Sequence, residues 1–221
     1  MTSGGHVQDL FSDPIEARLI EQKSAGTWLL KSWLAKDRAS ISVQLQAILQ
    51  VSPLRRFKTP NGYSMSVGSS NCGAWGWISD QKGYRYSAVD PLTQRPWPAM
   101  PEAWQHLATE AAELVGFQHF IPDSCLINCY EVGDKMGLHQ DKDEEIFEHP
   151  IVSVSLGLPI IFMLGGLTRS QAYQKILLED SDVLIWGGVD RLKYHGVQSL
   201  RKGLHPIFGS KRYNLTFRKA K

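Results

Sequence analysis

The 221-residue chain has few cysteines, little net charge and no long apolar segment. Because no run of 18 apolar residues is present, the sequence predicts no membrane-spanning helix. The N-terminal stretch MTSGGHVQDLFSD lacks the basic and apolar regions of a signal peptide. The three cysteines, Cys72, Cys125 and Cys129, form no CxxC pair, which argues against a disulfide scaffold. We therefore expect a reduced, cytoplasmic protein that is monomeric and does not associate with membranes.

Charge is low overall but unevenly distributed. The net charge is +2, yet residues 191–221 contain nine of the 24 basic residues and no acidic one. Such a stretch favours polyanions or small dianions. A solvated basic surface explains the charge pattern at least as well. Charge alone therefore assigns no partner.

Short β-rich segments fill residues 124–218, and glycine, proline and aspartate separate them. They include SCLINCY, IVSVSLGL, SDVLIWGG and RYNLTFR. Such a series of short strands separated by turn residues is typical of an antiparallel sandwich, jelly roll or barrel. Before it, TWLLKSWL (27–34) indicates a strand. Apolar spacing predicts one helix that ends by Pro53 and a second that runs from Pro101 to Gly116.

A candidate metal site lies in GLHQDKDEE. In an extended segment residues two apart face the same side, so His139 and Asp141 point together. His195, in LKYHGVQ, can supply a third ligand from a distant strand. Two histidines and one carboxylate form the facial triad that holds Fe(II) in oxygenases. A single histidine is more often structural or at the surface, so the triad depends on all three residues together.

Polar and apolar side chains alternate along the C-terminal KRYNLTFRK. Arg212, Asn214 and Arg218 share one face, and burying two arginines without an anion is costly. A dicarboxylate would satisfy them, because guanidinium groups match carboxylates with paired hydrogen bonds. The strand LINCY repeats the pattern with Asn128 and Tyr130. A strand with one wet surface face would look similar, but combined with the triad the pattern indicates a 2-oxoglutarate site.

Several motifs together resemble those of the AlkB family, in particular its bacterial members. They are QKGYRYSAVDP, PWPAMP, LINCYEVGDKMGLHQDKDE, PIVSVSLGLP, FMLGGL, DVLIWGG, RLKYHG and RYNLTFR. The resemblance implies an α+β protein with a double-stranded β-helix (jelly-roll) core and an N-terminal α/β nucleotide-recognition lid. It places an N-terminal segment at 1–50, the lid and a supporting helix at 51–123, and the Fe(II)/2-oxoglutarate dioxygenase core at 124–221, all in one globular unit.

The resemblance also implies roles for individual residues. One Fe(II) per chain would be held by His139, Asp141 and His195, which form the catalytic centre. The residues expected to bind 2-oxoglutarate are Asn128, Tyr130, Arg212, Asn214 and Arg218. Those expected to contact the substrate are Trp77, Tyr84, Arg85, Tyr86, Asp143 and Arg169. The remaining acids of this region, Glu144, Glu145 and Glu148, receive no role and are expected to form a solvated turn.

The activity implied by the resemblance is oxidative dealkylation of bases such as 1-methyladenine and 3-methylcytosine in single- or double-stranded DNA. Dioxygen and 2-oxoglutarate are consumed, and the products are an aldehyde, succinate, carbon dioxide and the repaired base. Two alternatives remain open at this point. The same chemistry can act on RNA or on protein side chains, and a jelly roll can serve as a binding module without catalysis.

Overall fold

The computed structural model describes residues 20–221, which form two helices, fifteen strands and a short 3-10 turn at Gly188–Asp190. The helices are α1 (Arg38–Val51) and α2 (Glu102–Leu114). The strands that precede α2 are β1 (Ile20–Ser24), β2 (Thr27–Leu30), β3 (Gly68–Gly73), β4 (Gly76–Asp80), β5 (Gly83–Ser87), β6 (Val89–Asp90) and β7 (Arg95–Pro96). Those that follow it are β8 (Ser124–Tyr130), β9 (Met136–His139), β10 (Ile151–Gly157), β11 (Ile160–Leu164), β12 (Gln174–Leu178), β13 (Val183–Trp186), β14 (His195–Val197) and β15 (Arg212–Arg218).

Two antiparallel sheets form the core. The larger has seven strands in the order β1-β2-β13-β10-β15-β8-β3, and the smaller has four in the order β12-β11-β14-β9. From β8 to β15 the chain alternates between the two sheets except at the β11–β12 hairpin, which stays in the smaller sheet, and this arrangement confirms the predicted jelly roll. The larger sheet also recruits β1, β2 and β3 from outside residues 124–221. The strand predicted at 27–34 ends at Leu30, where the chain turns toward α1.

The two faces of β15 meet different environments, as the alternation predicts. Tyr213, Leu215 and Phe217 belong to the apolar cluster formed with α1 and α2 on the outer face of the large sheet. Trp104 of α2 meets Phe217 edge-on, with ring centroids 6.3 Å apart. A second apolar cluster fills the space between the sheets. The polar face of β15 is thereby turned toward the jelly-roll interior.

Both predicted helices are present. The backbone at Pro101 is extended, so α2 begins at Glu102. It ends at Leu114, two residues before Gly116, which has a φ of +92°. Glycine adopts this left-handed conformation without a steric penalty and is therefore common just beyond helix ends. The apolar spacing and these end signals together were sufficient to locate the helix.

A buried carboxylate fastens β2 to the end of the small 3-10 turn. Asp190 Oδ2 accepts hydrogen bonds from the Gly26 amide at 3.0 Å and from Thr27 Oγ1 at 2.7 Å. Its other oxygen lies 2.7 Å from Lys193 Nζ. Burial opposes ionisation, but the hydrogen bonds from Lys193 and Thr27 prevail and lower the pKa of Asp190. The first strands are therefore held to the core by a charged group.

We expect Asp190→Ala to lower the free energy of unfolding by about 3 kcal/mol, because it leaves buried donors and a cation without their partner. Urea unfolding at neutral pH measures this loss. Since the folded-state pKa is depressed, the contribution is present at neutral pH and is lost as the pH falls through that value. The matched control is Asp37→Ala, since Asp37 makes no side-chain capping bond to α1. Equal stability of the two variants would contradict this role.

Candidate active site

His139, Asp141 and His195 meet inside the jelly roll. Their ligand atoms all lie within 4.8 Å of one another. His139 Nε2 is 3.6 Å from Asp141 Oδ1, and His195 Nε2 is 3.7 Å from Asp141 Oδ2. His139 ends β9 and lies directly opposite His195 at the start of β14. The pairing of two strands of the small sheet therefore brings together residues that are distant in the sequence.

Backbone carbonyls fix the orientation of both imidazoles. His139 Nδ1 lies 2.9 Å from the carbonyl of Gly137, and His195 Nδ1 lies 3.0 Å from that of Lys193. A carbonyl only accepts hydrogen bonds, so each Nδ1 carries the proton and each Nε2 offers a lone pair to the centre. Burial, with a further effect from His139, lowers the pKa of His195 to about 4. Both rings are therefore suited to bind a metal as neutral ligands.

A glycine permits the close approach of β14 and β9. A Cβ at Gly196 would lie 2.5 Å from the carbonyl oxygen of Met136 and 2.9 Å from that of Gly137. Real side chains do not tolerate such distances to backbone, so any larger residue would push the strands apart. Gly196 thus maintains the register that places His195 opposite His139.

Asp141 also pairs with an arginine of the large sheet. Arg218 Nη2 donates to Asp141 Oδ2 at 2.6 Å, and Arg218 Nε donates to the same oxygen at 3.1 Å. Burial opposes ionisation of Asp141, but Arg218 and the two imidazoles hold its pKa well below the usual range. Burial likewise opposes the charge of Arg218, yet Asp141 and Glu144 raise its pKa. The metal-binding carboxylate is therefore ionised and fixed in place.

Arg212 lies deep in the same interior with most of its donors unused. The residue is 1% exposed, and Nη2 donates to Ser155 Oγ at 2.9 Å. Among residues 20–221, its Nε and Nη1 have no hydrogen-bond partner. Burial lowers the pKa of Arg212 to about 10, so the group remains charged at neutral pH. A buried guanidinium with two free donors fits an anion that the protein itself does not supply.

A cavity of about 460 Å³, including its open mouth, joins the triad to Arg212. Both sheets line it, and all eight residues predicted to bind iron or 2-oxoglutarate face it: Asn128, Tyr130, His139, Asp141, His195, Arg212, Asn214 and Arg218. Cys129, between Asn128 and Tyr130, points instead into the outer apolar cluster. The strand alternation thus brings the whole predicted set together.

Two serines of β10 support the cosubstrate-facing residues and were missed in the sequence. Ser155 accepts the hydrogen bond from Arg212, and Ser153 accepts one at 2.8 Å from Asn214 Nδ2. They stand two apart in IVSVSLGL, so their shared face was visible as an alternation of serine with apolar residues. Trp186 and Phe162 complete the wall beside His195, with ring centroids 4.9 Å and 5.7 Å from its imidazole.

Three of the predicted substrate-contacting residues form one group, joined by aromatic stacking and a hydrogen bond. Trp77, on β4, stacks on Tyr84 of β5 with ring centroids 5.7 Å apart and planes 14° apart. The indole Nε1 donates to Asp143 Oδ2 at 2.8 Å. Asp143 is exposed, two residues beyond the metal ligand Asp141. An aromatic surface and a carboxylate are therefore held together, and the carboxylate follows the metal ligand closely in the chain.

The other three predicted contacts have different surroundings. Arg85 pairs with Asp80 across the β4–β5 hairpin, through two hydrogen bonds of 2.8 Å and 2.7 Å. The hydroxyl of Tyr86 points inward and donates to Glu144 Oε1 at 2.8 Å. Arg169 is exposed and its guanidinium lies 5.2 Å from the ring centroid of Tyr194. None of the three joins the group of Trp77, Tyr84 and Asp143.

The expectation for Glu144 is wrong. Glu145 and Glu148 are exposed, as predicted, but Glu144 is only 6% exposed. It lies 3.0 Å from Arg191 Nη2 and 3.2 Å from Arg218 Nε. The arginines come from elements far along the chain, so no local pattern distinguished this acid from its neighbours.

The jelly roll, the two-histidine-one-carboxylate cluster and the unsatisfied buried arginine define an iron-dependent oxygenase with a dicarboxylate cosubstrate. The chain belongs to the 2OG-Fe(II) oxygenase superfamily, whose sequence model matches residues 26–218. It is 48% identical over 212 residues to the alpha-ketoglutarate-dependent dioxygenase AlkB of Salmonella typhimurium. That alignment covers 96% of this chain and 97% of the relative.

Two further relatives are informative. An Arabidopsis thaliana protein named DNA N(6)-methyladenine demethylase ALKBH1C is 38% identical over 109 residues, which cover 44% of this chain and 24% of that protein. The solved structure of OsALKBH1 superposes with a TM-score of 0.80 at 28% identity, over 90% of this chain and 99% of that one. The protein is therefore a 2-oxoglutarate-dependent dioxygenase, and the alternative of a non-catalytic binding module does not hold.

No helix among residues 20–221 is long and apolar enough to span a membrane.

Proposed function

We propose that this enzyme oxidatively dealkylates N-alkylated bases such as 1-methyladenine and 3-methylcytosine in DNA, with RNA as the second candidate. One observation carries the proposal. The metal-binding triad lines the cavity, and Asp143, two residues beyond the triad ligand Asp141, accepts a hydrogen bond from Trp77, which stacks on Tyr84. An alkylated base of this kind carries positive charge, which aromatic faces and a nearby carboxylate both favour.

The proposed cosubstrate site uses the cavity floor. Arg212 would take the far carboxylate of 2-oxoglutarate with its free Nε and Nη1, and Asn214 and Tyr130 would add polar contacts. Burial raises the pKa of Tyr130 to about 12, so its hydroxyl remains a donor. Asn128 and Arg218 also line the cavity, and Arg218 contacts the triad ligand Asp141. Bound iron supplies the oxidation chemistry, while the chain's own residues orient the reactants.

The proposed substrate site requires a base outside the helical stack. An enzyme that acts on a base atom must extract the nucleotide and hold the base between aromatic or apolar surfaces. Trp77 and Tyr84 offer such a surface, and Asp143 adds a charge. Arg85, Arg169 and the ring of Tyr86, whose hydroxyl is bonded to Glu144, would act around this group, with Arg169 contacting a base or the nucleic-acid backbone. We propose that the enzyme acts as a monomer. The three free cysteines fit the reducing cytoplasm.

Aldehyde release tests the proposed substrate class. Oligonucleotides containing 1-methyladenine or 3-methylcytosine, as DNA and as RNA, are compared with methylated peptides, each with and without Fe(II) and 2-oxoglutarate. Formaldehyde should appear with the nucleic acids only, and only when both are present. Turnover of peptides alone would move the substrate class to protein and contradict the proposal.

Trp77→Ala should weaken binding of a methylated oligonucleotide by about 1–3 kcal/mol, the usual scale of base–aromatic stacking. Fluorescence anisotropy under anaerobic conditions measures the affinity. Titrations of metal and 2-oxoglutarate serve as internal controls and should be unchanged, because Trp77 does not line the cavity that holds them. Unchanged oligonucleotide affinity would remove Trp77 from the substrate site.

Asp143→Asn should lower turnover of the cationic base 1-methyladenine more than that of the neutral base 1-methylguanine, since the carboxylate discriminates by charge. Asparagine is the informative replacement because its amide oxygen can still accept the hydrogen bond from Trp77. Higher salt should weaken binding of both substrates together through the phosphates and leave their ratio nearly constant. The ratio is measured at two salt concentrations. If the ratio of 1-methyladenine to 1-methylguanine turnover in Asp143→Asn equalled that of the parent enzyme, Asp143 would have no part in recognising the charge of the base.

A further inference from the structure

Glu144 is the most buried acid of the segment that follows the metal ligand Asp141, yet the reaction assigns it no task. Its Oε1 accepts the hydrogen bond from the Tyr86 hydroxyl at 2.8 Å and lies 3.2 Å from Arg218 Nε. Its Oε2 lies 3.0 Å from Arg191 Nη2. The side chains of Glu144 and Arg191 are 2% and 3% exposed. One carboxylate therefore joins two buried arginines to a tyrosine of the β4–β5 hairpin.

Both arginines also hold Asp141. Arg218 Nη2 donates to the Asp141 carboxylate at 2.6 Å, and Arg191 Nη1 donates to the Asp141 backbone carbonyl at 2.8 Å. Behind the metal ligand there is thus a closed cluster of two carboxylates and two guanidinium groups, whose charges balance. Of the two carboxylates, Asp141 contacts only Arg218 with its side chain and belongs to the triad. The Glu144 side chain contacts both arginines and is not part of the triad.

We propose that Glu144 is a positioning residue for the metal centre. By balancing one of the two positive charges, it leaves Asp141 free to serve a divalent ion while Arg218 remains in place. Without Glu144, two guanidinium groups would act on a single carboxylate in a low-dielectric interior. Arg218 would be drawn more strongly to Asp141, and the uncompensated positive charge would repel the ion. The residue acts through Arg218 and Arg191 and touches neither reactant.

The contact with Glu144 gives Tyr86 a different role from that of Tyr84. The Tyr84 ring is stacked on Trp77 and 46% exposed, whereas the Tyr86 hydroxyl is turned inward onto Glu144. Burial raises the pKa of Tyr86 well above its usual value, against the opposing effect of Arg218, so the phenol remains a donor. Tyr86 therefore supports Glu144 from the hairpin, and its hydroxyl is not available to a substrate.

Glu144→Gln tests the proposal with a nearly isosteric change that removes the negative charge and replaces one acceptor oxygen with an amide donor. Co(II) alone is titrated into the metal-free protein and followed by its visible absorption. We expect a ten- to hundredfold weaker affinity, the usual effect of changing a residue that orients a metal ligand. The matched control is Glu145→Gln, which removes the same charge from the adjacent residue. Glu145 is exposed and pairs with Lys221, so its replacement should leave the Co(II) affinity within about twofold.

A second titration separates positioning from general damage to the fold. In Co(II)-saturated protein without oxygen, Glu144→Gln should bind 2-oxoglutarate at least as well as the parent does, because Arg212 and Arg218 both keep their charge and the charge that is lost is negative. Parallel losses of both affinities would indicate a merely structural role and overturn the proposal, as would an unchanged Co(II) affinity. Should Glu144→Gln not fold, Tyr86→Phe replaces it in both titrations. It must then weaken Co(II) binding by at least twofold and spare 2-oxoglutarate binding, and a parent-like Co(II) affinity would contradict the proposal.

Discussion

Asp141→Ala is expected to abolish both turnover and metal binding. The substitution removes the only carboxylate of the three-ligand set and leaves Arg218 facing two imidazoles with Glu144 as its remaining anion. The positive charge would then repel the metal from the two remaining ligands. His139→Ala and His195→Ala should abolish turnover as well, since each removes one of three protein ligands.

Metal analysis and single-turnover assays measure these losses. The parent should bind one Fe(II) per chain under anaerobic conditions, and Zn(II) in the same place should support no turnover because it has no accessible redox chemistry. His106→Ala is the matched control, because His106 lies exposed on α2 and contacts no ligand of the centre. Full activity in any of the three ligand variants would contradict the assignment of the triad.

Arg212→Ala should raise the requirement for 2-oxoglutarate strongly. Truncating the buried guanidinium leaves the far carboxylate of the cosubstrate without a charged partner, at a cost of about 2–5 kcal/mol. Arg212→Lys should recover only part of the affinity, because an ammonium lacks the paired donors of guanidinium. Titration of 2-oxoglutarate at saturating metal measures both variants.

Arg201 provides the control for this experiment. It is exposed and basic in the segment between β14 and β15, so Arg201→Ala removes an equal charge without reaching the cavity. The 2-oxoglutarate titration of Arg201→Ala should match that of the parent enzyme. A normal titration by Arg212→Ala would show that the two unsatisfied donors of Arg212 do not serve the cosubstrate.

The residues on the inner face of the site could be predicted from the sequence because side chains two apart in a β-strand face the same side. Arg212, Asn214 and Arg218 had to share a face once RYNLTFR was taken as a strand, and burying them together required an anion. His139 and Asp141 followed from the same rule. The position of His195 opposite His139 depends on the pairing of β14 with β9, which local pattern could not specify. The resemblance implied only that the three residues bind one ion.

Other features depend on contacts between distant segments. Glu144 looks like Glu145 in the sequence, and only the arrival of Arg191 and Arg218 turns one of them into a buried ion pair. The contribution of β1, β2 and β3 to the large sheet was likewise not readable, because their pairing partners lie far along the chain. The alternating serines of β10 were visible, but their partners on β15 become evident only from the register of the two strands.

Simultaneous measurement of both reaction products tests the central claim most directly. A DNA oligonucleotide with one 1-methyladenine is incubated with the enzyme, Fe(II), 2-oxoglutarate and dioxygen, and formaldehyde, succinate and restored adenine are quantified in the same sample. The account predicts that formaldehyde and adenine appear in equal amounts, with at least as much succinate. It also predicts no formaldehyde from the unmethylated oligonucleotide or from the Asp141→Ala enzyme. The account would be contradicted if the enzyme formed succinate but released no formaldehyde and restored no base with every methylated DNA and RNA substrate tested.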